Sequence, residues 1–597
     1  MRSQGTGDVH HATFKRWASA FGVSVMLAAC GGGGGGGGGG EPDKLPPSES
    51  PAREQAFVIA PGDQVASDAH AARFLTQATY GATPTSIKKL NALGYSNWLQ
   101  EQFLTPPLDS HWDYVARKGP AGCTVCDSIY INAAMESFWL QALQGQDQLR
   151  QRTVLALSEL FVVSTVNSSV SIQPDAHAAY LDMLGQHAFG NFRDLLEGVT
   201  RHPTMAHYLS HLRNQKEDPI TGRTPDENYA REVMQLFTIG LWQLDDKGRR
   251  LKDAKGQDIP TYDLADVMGM ARVMTGLSWG GPDDKDARWS GWTGEPAAWN
   301  QPLQMYGKFH SQGEKKFLKM TIPARSGVAT KAQADEDLKV ALDALFNHPN
   351  TPAFIGKQLI KRFVASNPSD DYVGRVAQAF RDNGNGVRGD MKAILRAVLM
   401  DPEARDANKI SDPTWGKLRE PMVRFANFLR AFGAVSPTNK YRIWNLEDPI
   451  SSLGQNPLRA PSVFNWFQPE YSPAGELGDA QLTSPEMQIT HETTLTGYNN
   501  FLDMTIQRTT ERFRFGRVDA YVVDYAPWIA MAAQPDKLLD QLDTLLMNGQ
   551  LSAETRRDVL QALNSITRNY LDISRDEARV HMAIRLLMAS PEYIVQK

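Results

Sequence analysis

The densest run of chemically competent side chains is Asp226-Glu227-Asn228-Tyr229-Ala230-Arg231-Glu232. Glu227 and Arg231 are four residues apart, as are Asn228 and Glu232, so on a helix these polar groups crowd one side near the positive end. A carboxylate placed there, Glu227 or Glu232, can serve as general acid, general base or cation ligand, with Arg231 orienting it. The plainer reading is a capped, solvated first turn with one ion pair. Asp226 suits the cap, Gly240 the stop, and Tyr229, Val233, Leu236 and Phe237 the buried stripe of a helix over 226–239. Glu232 stands too far into that helix to gain from its dipole, and burial against Arg231, Arg272 or Lys316 is expected instead.

Other motifs match as text and fail on context. Gly276-Leu277-Ser278-Trp279-Gly280 spells G-x-S-x-G, but a nucleophile elbow follows a strand, and here a helical pattern ends at Gly276. Gly384 to Gly389 spells G-x-G-x-x-G, yet it too follows a helical pattern, so a dinucleotide site is not expected. His491-Glu492 lacks the second histidine of a zinc helix, and His207 with His211 is an isolated i,i+4 pair. No cofactor and no metal is implied. Trp279, Trp289, Trp292 and Trp299 form a different signal: indole faces on a Gly- and Pro-rich loop suit stacking against sugar rings, or they pin that loop to the helices.

The elements that must position these groups are helices. Apolar spacing of three and four predicts them from Ser67 onward, for example over 147–163, 175–188, 191–200, 262–275, 335–346, 351–364, 415–432 and 485–503. Hairpins are expected only near Leu241–Leu244, turning at 246–248, and from Lys308 to Met320, turning at Gln312-Gly313. The fold class is therefore mainly α, a multi-helix unit over 63–597 in one or two lobes (63–276 and 331–597) with an irregular Trp-rich seam at 277–330. With 62 Lys and Arg against 67 Asp and Glu, the net charge of −5 gives no polyanion-binding excess, so nucleic acid is excluded as a partner.

The N-terminus carries Lys15-Arg16 and then an apolar run from Ala18 to Ala29. That run is shorter than the roughly 20 residues a membrane span needs and fits a signal peptide over 1–29. It ends in Leu27-Ala28-Ala29-Cys30, which resembles the lipobox of bacterial lipoproteins, whose cysteine is acylated after cleavage. Cys30 then anchors the chain to the membrane, and Gly31 after it favours the outer membrane or cell surface of the bacterial envelope. Gly31–Gly40 and the Pro-rich stretch to residue 62 read as a tether; ten flexible residues span about 17 Å. Cys123 and Cys126 are the remaining cysteines, and outside the cytosol they suit a local disulfide. Redox activity would require a helix N-terminus to acidify one thiol, and zinc would require two further ligands.

Several segments together resemble the bacterial family called domain of unknown function 1800: Ala72 to Gly81, Asp226 to Glu232, Ala271 to Gly276, His310 with Lys316-Phe317-Leu318, His348-Pro349 with Phe354-Ile355, Pro461 to Phe467, and Ser590 to Tyr593. They follow in consistent order over roughly 67–597. The resemblance implies a mostly helical exported protein, often encoded beside a second exported family, domain of unknown function 1501, with a sulfatase-like core. It implies no established activity. Glu227, Asn228, Arg231, Glu232, Arg272, His310 and Lys316 match its recurrent polar positions. Two functions are carried forward. One is an envelope binding or assembly module that works with the sulfatase-like partner through the Trp-rich seam. The other is a cell-surface hydrolase or lyase acting on polysaccharide, with Glu232 or Glu227 as general acid/base and His310 and Lys316 nearby. Cys30→Ser tests the anchor: the variant should leave the membrane fraction or accumulate as precursor, and unchanged partitioning would remove the lipoprotein reading.

Overall fold

The computed structural model describes residues 62–118, 132–166, 170–171, 173–291, 296–514, 520–570 and 573–597. Cys30, the signal and tether segments to residue 61, the Cys123/Cys126 pair and Trp292 lie outside the described residues. The described residues are 54% helical, and their strands are two or three residues long, which makes the protein mainly α. The halves on either side of 277–330 contribute to one hydrophobic cluster that runs from Ala71 to Tyr593.

Three helices build its centre: Gln148–Leu160, Pro174–His187 and Asn350–Phe363. The Asn350 helix is buried nearly all round, the state of a helix that other helices enclose. Several helix starts follow from their caps. Asp263 and Thr330 form capping boxes with Asp266 and Gln333 at the heads of Leu264–Val273 and Lys331–Asn347. The stop at Gly276 has a positive φ of 90°.

Four elements differ from expectation, the helix expected over 485–503 among them: Pro485–Ile489 form a short 3-10 turn, and the α-helix runs over Glu492–Arg514. The helix expected over 226–239 spans only Asn228–Gln235, because the Phe237, Ile239 and Gly240 N–H groups turn back onto Glu232 and Met234 carbonyls instead of continuing it. The helix expected over 415–432 begins at Pro421, which lacks the N–H an interior position needs; Lys417-Leu418 before it pair with Val595-Gln596 as a strand. The hairpin expected to turn at Gln312-Gly313 turns instead at Leu318-Lys319, both left-handed, and joins Lys315–Phe317 to Met320–Ile322. This hairpin lies directly on the Leu264 helix: a Cβ at Gly269 would stand 1.7 Å from the Lys316 carbonyl oxygen, so only glycine admits that approach.

Histidines pack into the region around the Pro174 helix. His177 and His211 donate through Nε2 to the carbonyls of Val170 and Thr200, and His211 stacks on Tyr229 at 3.9 Å. Burial lowers His177 and His211 to about 4 and His202 to about 3, although carbonyl acceptors partly oppose it. The unfolded chain protonates these rings near 6.5 while the folded chain leaves them neutral. Their stabilising contribution is thus complete above 6.5 and falls as pH drops towards 4, by up to about 1.4 kcal/mol per pH unit for each ring. His177→Gln keeps a donor for Val170 and removes one titration. Denaturant unfolding at pH 7 and pH 5 should show a smaller loss for this variant than for wild type, and identical losses would refute the assignment.

Candidate functional site

The Asp226–Glu232 run is held by its own loop. Asp226 donates its N–H to Asn214 Oδ1 at 2.8 Å, Asn214 Nδ2 returns to the Asp226 carbonyl at 3.0 Å, and Asp226 Oδ1 accepts the Asn228 N–H at 2.8 Å. Tyr229 is driven into the core, where its hydroxyl lies 2.7 Å from Thr200 Oγ1. Glu227 pairs with Arg231 at 3.3 Å with both side chains partly exposed, a surface pair of small energetic weight.

Glu232 is buried, at 8% exposure, but not in the expected network. Arg231 is engaged by Glu227, Arg272 donates to the Glu314 carbonyl, and Lys316 pairs with Glu314 at 2.7 Å. Alternation along the strand explains Lys316: Lys315 and Phe317 point inward, which leaves Lys316 outside. Burial raises the Glu232 carboxyl above its ordinary range, with Arg231 partly opposing, and its Oε2 finds no hydrogen-bond partner among the described residues.

His310 is fully buried and committed elsewhere. Its Nδ1 donates to the Thr275 carbonyl at 2.7 Å, and Nε2 lies 3.1 Å from Asp337 Oδ2. Asp337 also receives Lys315 Nζ at 3.0 Å and the two terminal nitrogens of Arg325 at 2.7 and 2.5 Å. Burial works against its charge, yet these donors hold the Asp337 carboxyl well below the usual range. Both ring nitrogens are thus occupied. His310 and Lys316 have separate partners, and neither is paired with Glu232.

Trp279, Trp289 and Trp299 are buried. Trp289 stacks on Phe309 at 4.0 Å, and His207 sits between Trp279 and Trp299 at 5.6 and 5.0 Å. These three indoles anchor the 277–330 segment, and their faces are taken up by that packing. No group of three or more His, Cys, Asp or Glu is placed to hold a metal ion among the described residues, and no helix there is long and apolar enough to cross a membrane.

Convergent chemistry appears in a place that spacing did not mark. A groove of about 300 Å³ opens between the 240–250 ribbon, the Asn350 helix and the loop 461–470. Trp242, Phe354 and Phe464 supply aromatic walls, and Gln235, Gln358 and Gln468 supply amides. Gly240, with φ of 71°, lets the Phe354 ring approach to 2.9 Å from where a Cβ would stand. The loop is pinned by Lys361, whose ammonium donates to the Pro469 carbonyl, Glu470 Oε1 and Thr483 Oγ1 at 2.8, 2.9 and 3.2 Å. Burial brings the Lys361 amine down to about 8, with Glu470 opposing.

Gln358 links the groove to buried charge. It accepts Arg362 Nη1 at 2.7 Å, and Arg362 Nε lies 3.6 Å from Glu159. Beyond Glu159 come Glu420, which accepts Gln455 Nε2 at 2.7 Å, and the pair Lys417–Glu486 at 3.0 Å. Neither carboxylate carried a sequence signal: Glu159 falls off the apolar stripe of the 147–163 pattern, and Glu420 merely stands before Pro421.

The fold and this groove describe a helical scaffold with an open groove whose walls rest on buried ion pairs. The family described as protein of unknown function (DUF1800) matches residues 73–595, and the chain belongs to it. No curated protein and no solved structure matches the chain.

An unpaired, burial-raised carboxyl costs stability while it is charged, and that cost fades as pH falls through its raised pKa. Glu232→Gln should therefore melt at or slightly above the wild-type temperature at pH 7. A fall of several degrees would restore a buried ion pair at this position.

Proposed function

We propose that this chain is a lipid-anchored envelope protein whose groove binds a polysaccharide chain. One observation carries the reading: three half-buried aromatic rings and three glutamine amides converge on a single groove. A sugar ring offers an apolar face of C–H groups and an edge of hydroxyls that both donate and accept. Aromatic walls suit the face, and amides, which also donate and accept, suit the edge. The groove's volume lies at the small end of ligand sites, enough to hold a short stretch of a longer polymer.

The anchor and partner complete the proposal. Cys30 would carry the acyl chains, the 31–62 segment would hold the folded unit off the lipid, and the outer membrane or cell surface would supply the polymer. An exported sulfatase-like partner would act on a chain so presented. Binding is preferred over hydrolysis because His310 and Lys316 have partners of their own, so Glu232 lacks the assistance the hydrolase reading needs.

Retention on immobilised polysaccharides, sulfated and unsulfated, tests the groove. Wild type should be retained on at least one, and Trp242→Ala with Phe464→Ala should weaken retention about tenfold or more, equivalent to at least 1.4 kcal/mol. Equal retention of both proteins, or none by either, would reject the groove as a glycan site.

A further inference from the structure

The loop 461–470 has a second side. Phe464 and Gln468 face the groove, whereas Asn465 and Trp466 line a separate chamber of about 20 Å³ together with Glu159 and Asn456. The chamber's frame is rigid. Ser164 Oγ donates to the Ala460 carbonyl at 2.7 Å, and the Thr165 N–H donates to the Leu458 carbonyl at 2.8 Å, which ties the loop's start to the end of the Gln148 helix. Asn465 holds a left-handed φ of 65° in a turn closed by its N–H on the Ser462 carbonyl at 3.1 Å.

The polar groups of this chamber await a partner. Asn456 is fully buried; its Nδ2 donates to Glu447 at 2.7 Å, and its Oδ1 has no partner among the described residues. Asn465, at 7% exposure, leaves Nδ2 without one. Glu159 is 5% exposed; its carboxyl shares a hydrogen bond with Glu420, and no N–H donor reaches hydrogen-bonding distance of it, Arg362 stopping at 3.6 Å. Orphaned buried polar atoms cost about 1–3 kcal/mol each, so a site that gathers them around a void is built for an occupant.

Size and donor count choose that occupant. A void of about 20 Å³ holds one water-sized group, since roughly 10–15 Å³ is the minimum for a water. A sugar ring is excluded, and so is a magnesium ion with its retained waters. A calcium ion takes six to eight oxygens, more than one carboxyl and one amide oxygen supply. A compact donor of several N–H bonds fits this space, because a carboxylate, the Asn456 amide oxygen and the adjoining rings of Trp466 and Phe138 are matched acceptors for it. We propose that the chamber bounded by Glu159, Asn456, Asn465 and Trp466 is a binding site for a primary ammonium group, either free ammonium or the ammonium end of a larger ligand.

Charge balance gives the proposal a signature. Glu159 faces Glu420 from the Pro421 helix, Arg362 from the Asn350 helix and Arg152 from its own helix; Glu420 in turn faces Lys417, and Glu486 lies beyond. Burial and then Glu420 push the Glu159 carboxyl well above its usual range, with Arg362 and Arg152 opposing. Burial also works against charge on Glu420, but Glu159, Lys417 and Arg152 outweigh it and hold that carboxyl low. The two facing carboxyls titrate as a coupled pair in which Glu159 is the member pushed towards its protonated form. An arriving ammonium replaces the Glu159 proton as the positive charge, so the total charge of the chamber is unchanged and one proton leaves to solvent.

Calorimetry of the full chain near neutral pH, in two buffers of different ionisation enthalpy, reads this directly. Ammonium chloride and methylammonium chloride should bind with release of about one proton each and raise the melting temperature above that in equal sodium chloride. Tetramethylammonium, which has no N–H and exceeds the void, should do neither. Glu159→Gln should abolish the binding. Asn465→Asp, which exchanges an orphan donor for a carboxylate in a residue type that tolerates the left-handed turn, should tighten it about tenfold. Should Glu159→Gln fail to fold, the wild-type proton count and Asn465→Asp still decide. Ammonium indistinguishable from sodium would mean water alone fills the chamber and would overturn the proposal, as would binding without proton release or equal binding of tetramethylammonium. None of these readouts depends on the polysaccharide groove.

Discussion

The arrangement of the irregular 277–330 segment depends on one buried carboxylate. Asp337, on the Lys331 helix, receives His310, Lys315 and Arg325, all from the irregular 277–330 segment. Such a segment has few repeating backbone bonds to order it and must be fixed by side chains. Burying that carboxylate is costly in itself, and only several simultaneous donors can offset the desolvation. The geometry satisfies this condition from three directions. Its consequences run outwards: Lys315 pointing in sets the hairpin register, the register lays Lys316 against Gly269 of the Leu264 helix, and His310 ties the same region to Thr275 at that helix's end.

A second ionic centre does for the 461–470 loop what Asp337 does for the seam. Lys361 grips the loop through Pro469 and Glu470, while Arg362, the next residue, reaches Gln358 and Glu159. Adjacent residues on a helix diverge by about 100°, so one turn of the Asn350 helix serves the loop with one side chain and the buried acids with the next. The groove and the chamber are then two faces of one loop, with Phe464 on one and Asn465 on the other. An extended strand alternates in this way by default; here the left-handed Asn465 sets the turn at which the faces separate.

Much of the fold was legible in the sequence, because helix caps and apolar spacing are local signals. Asp263, Thr330 and Gly276 announce their boundaries in a few residues. The misread boundaries arose where a long-range partner decides: Leu318-Lys319 form the hairpin turn while the Leu318 N–H donates to Asp266, more than fifty residues upstream. The site was far less legible. The Asp226–Glu232 run is dense in competent groups, yet its density reflects the Asn214 clamp and one exposed pair. The four tryptophans gave a similar signal, and three of them pack inward as anchors. The groove draws on segments more than two hundred residues apart, each with an unremarkable pattern of glutamine and aromatic residues. Phe354 and the run from Pro461 to Phe467 were marked through family resemblance.

The energetics of the buried acids separate function from stability. A hydrophobic replacement for a buried ion pair is often neutral or stabilising, so ion pairs are a poor way to hold a core together. This core had apolar alternatives, since Glu159, Glu420 and Glu486 are buried in an interior that is otherwise mostly apolar. What the charges supply is direction: a carboxyl that must face an arginine or another carboxyl cannot slide or rotate as a leucine can. That constraint fixes the Asn350 helix against the Gln148 helix and the Pro421 helix at the point where the 461–470 loop crosses them. The groove and the chamber on that one loop keep their shapes only if those positions are fixed, and packing of apolar side chains alone leaves several near-equivalent arrangements. The same charges leave Glu159 short of N–H partners on its chamber side, so the rigidity and the vacant hydrogen-bonding capacity have one origin.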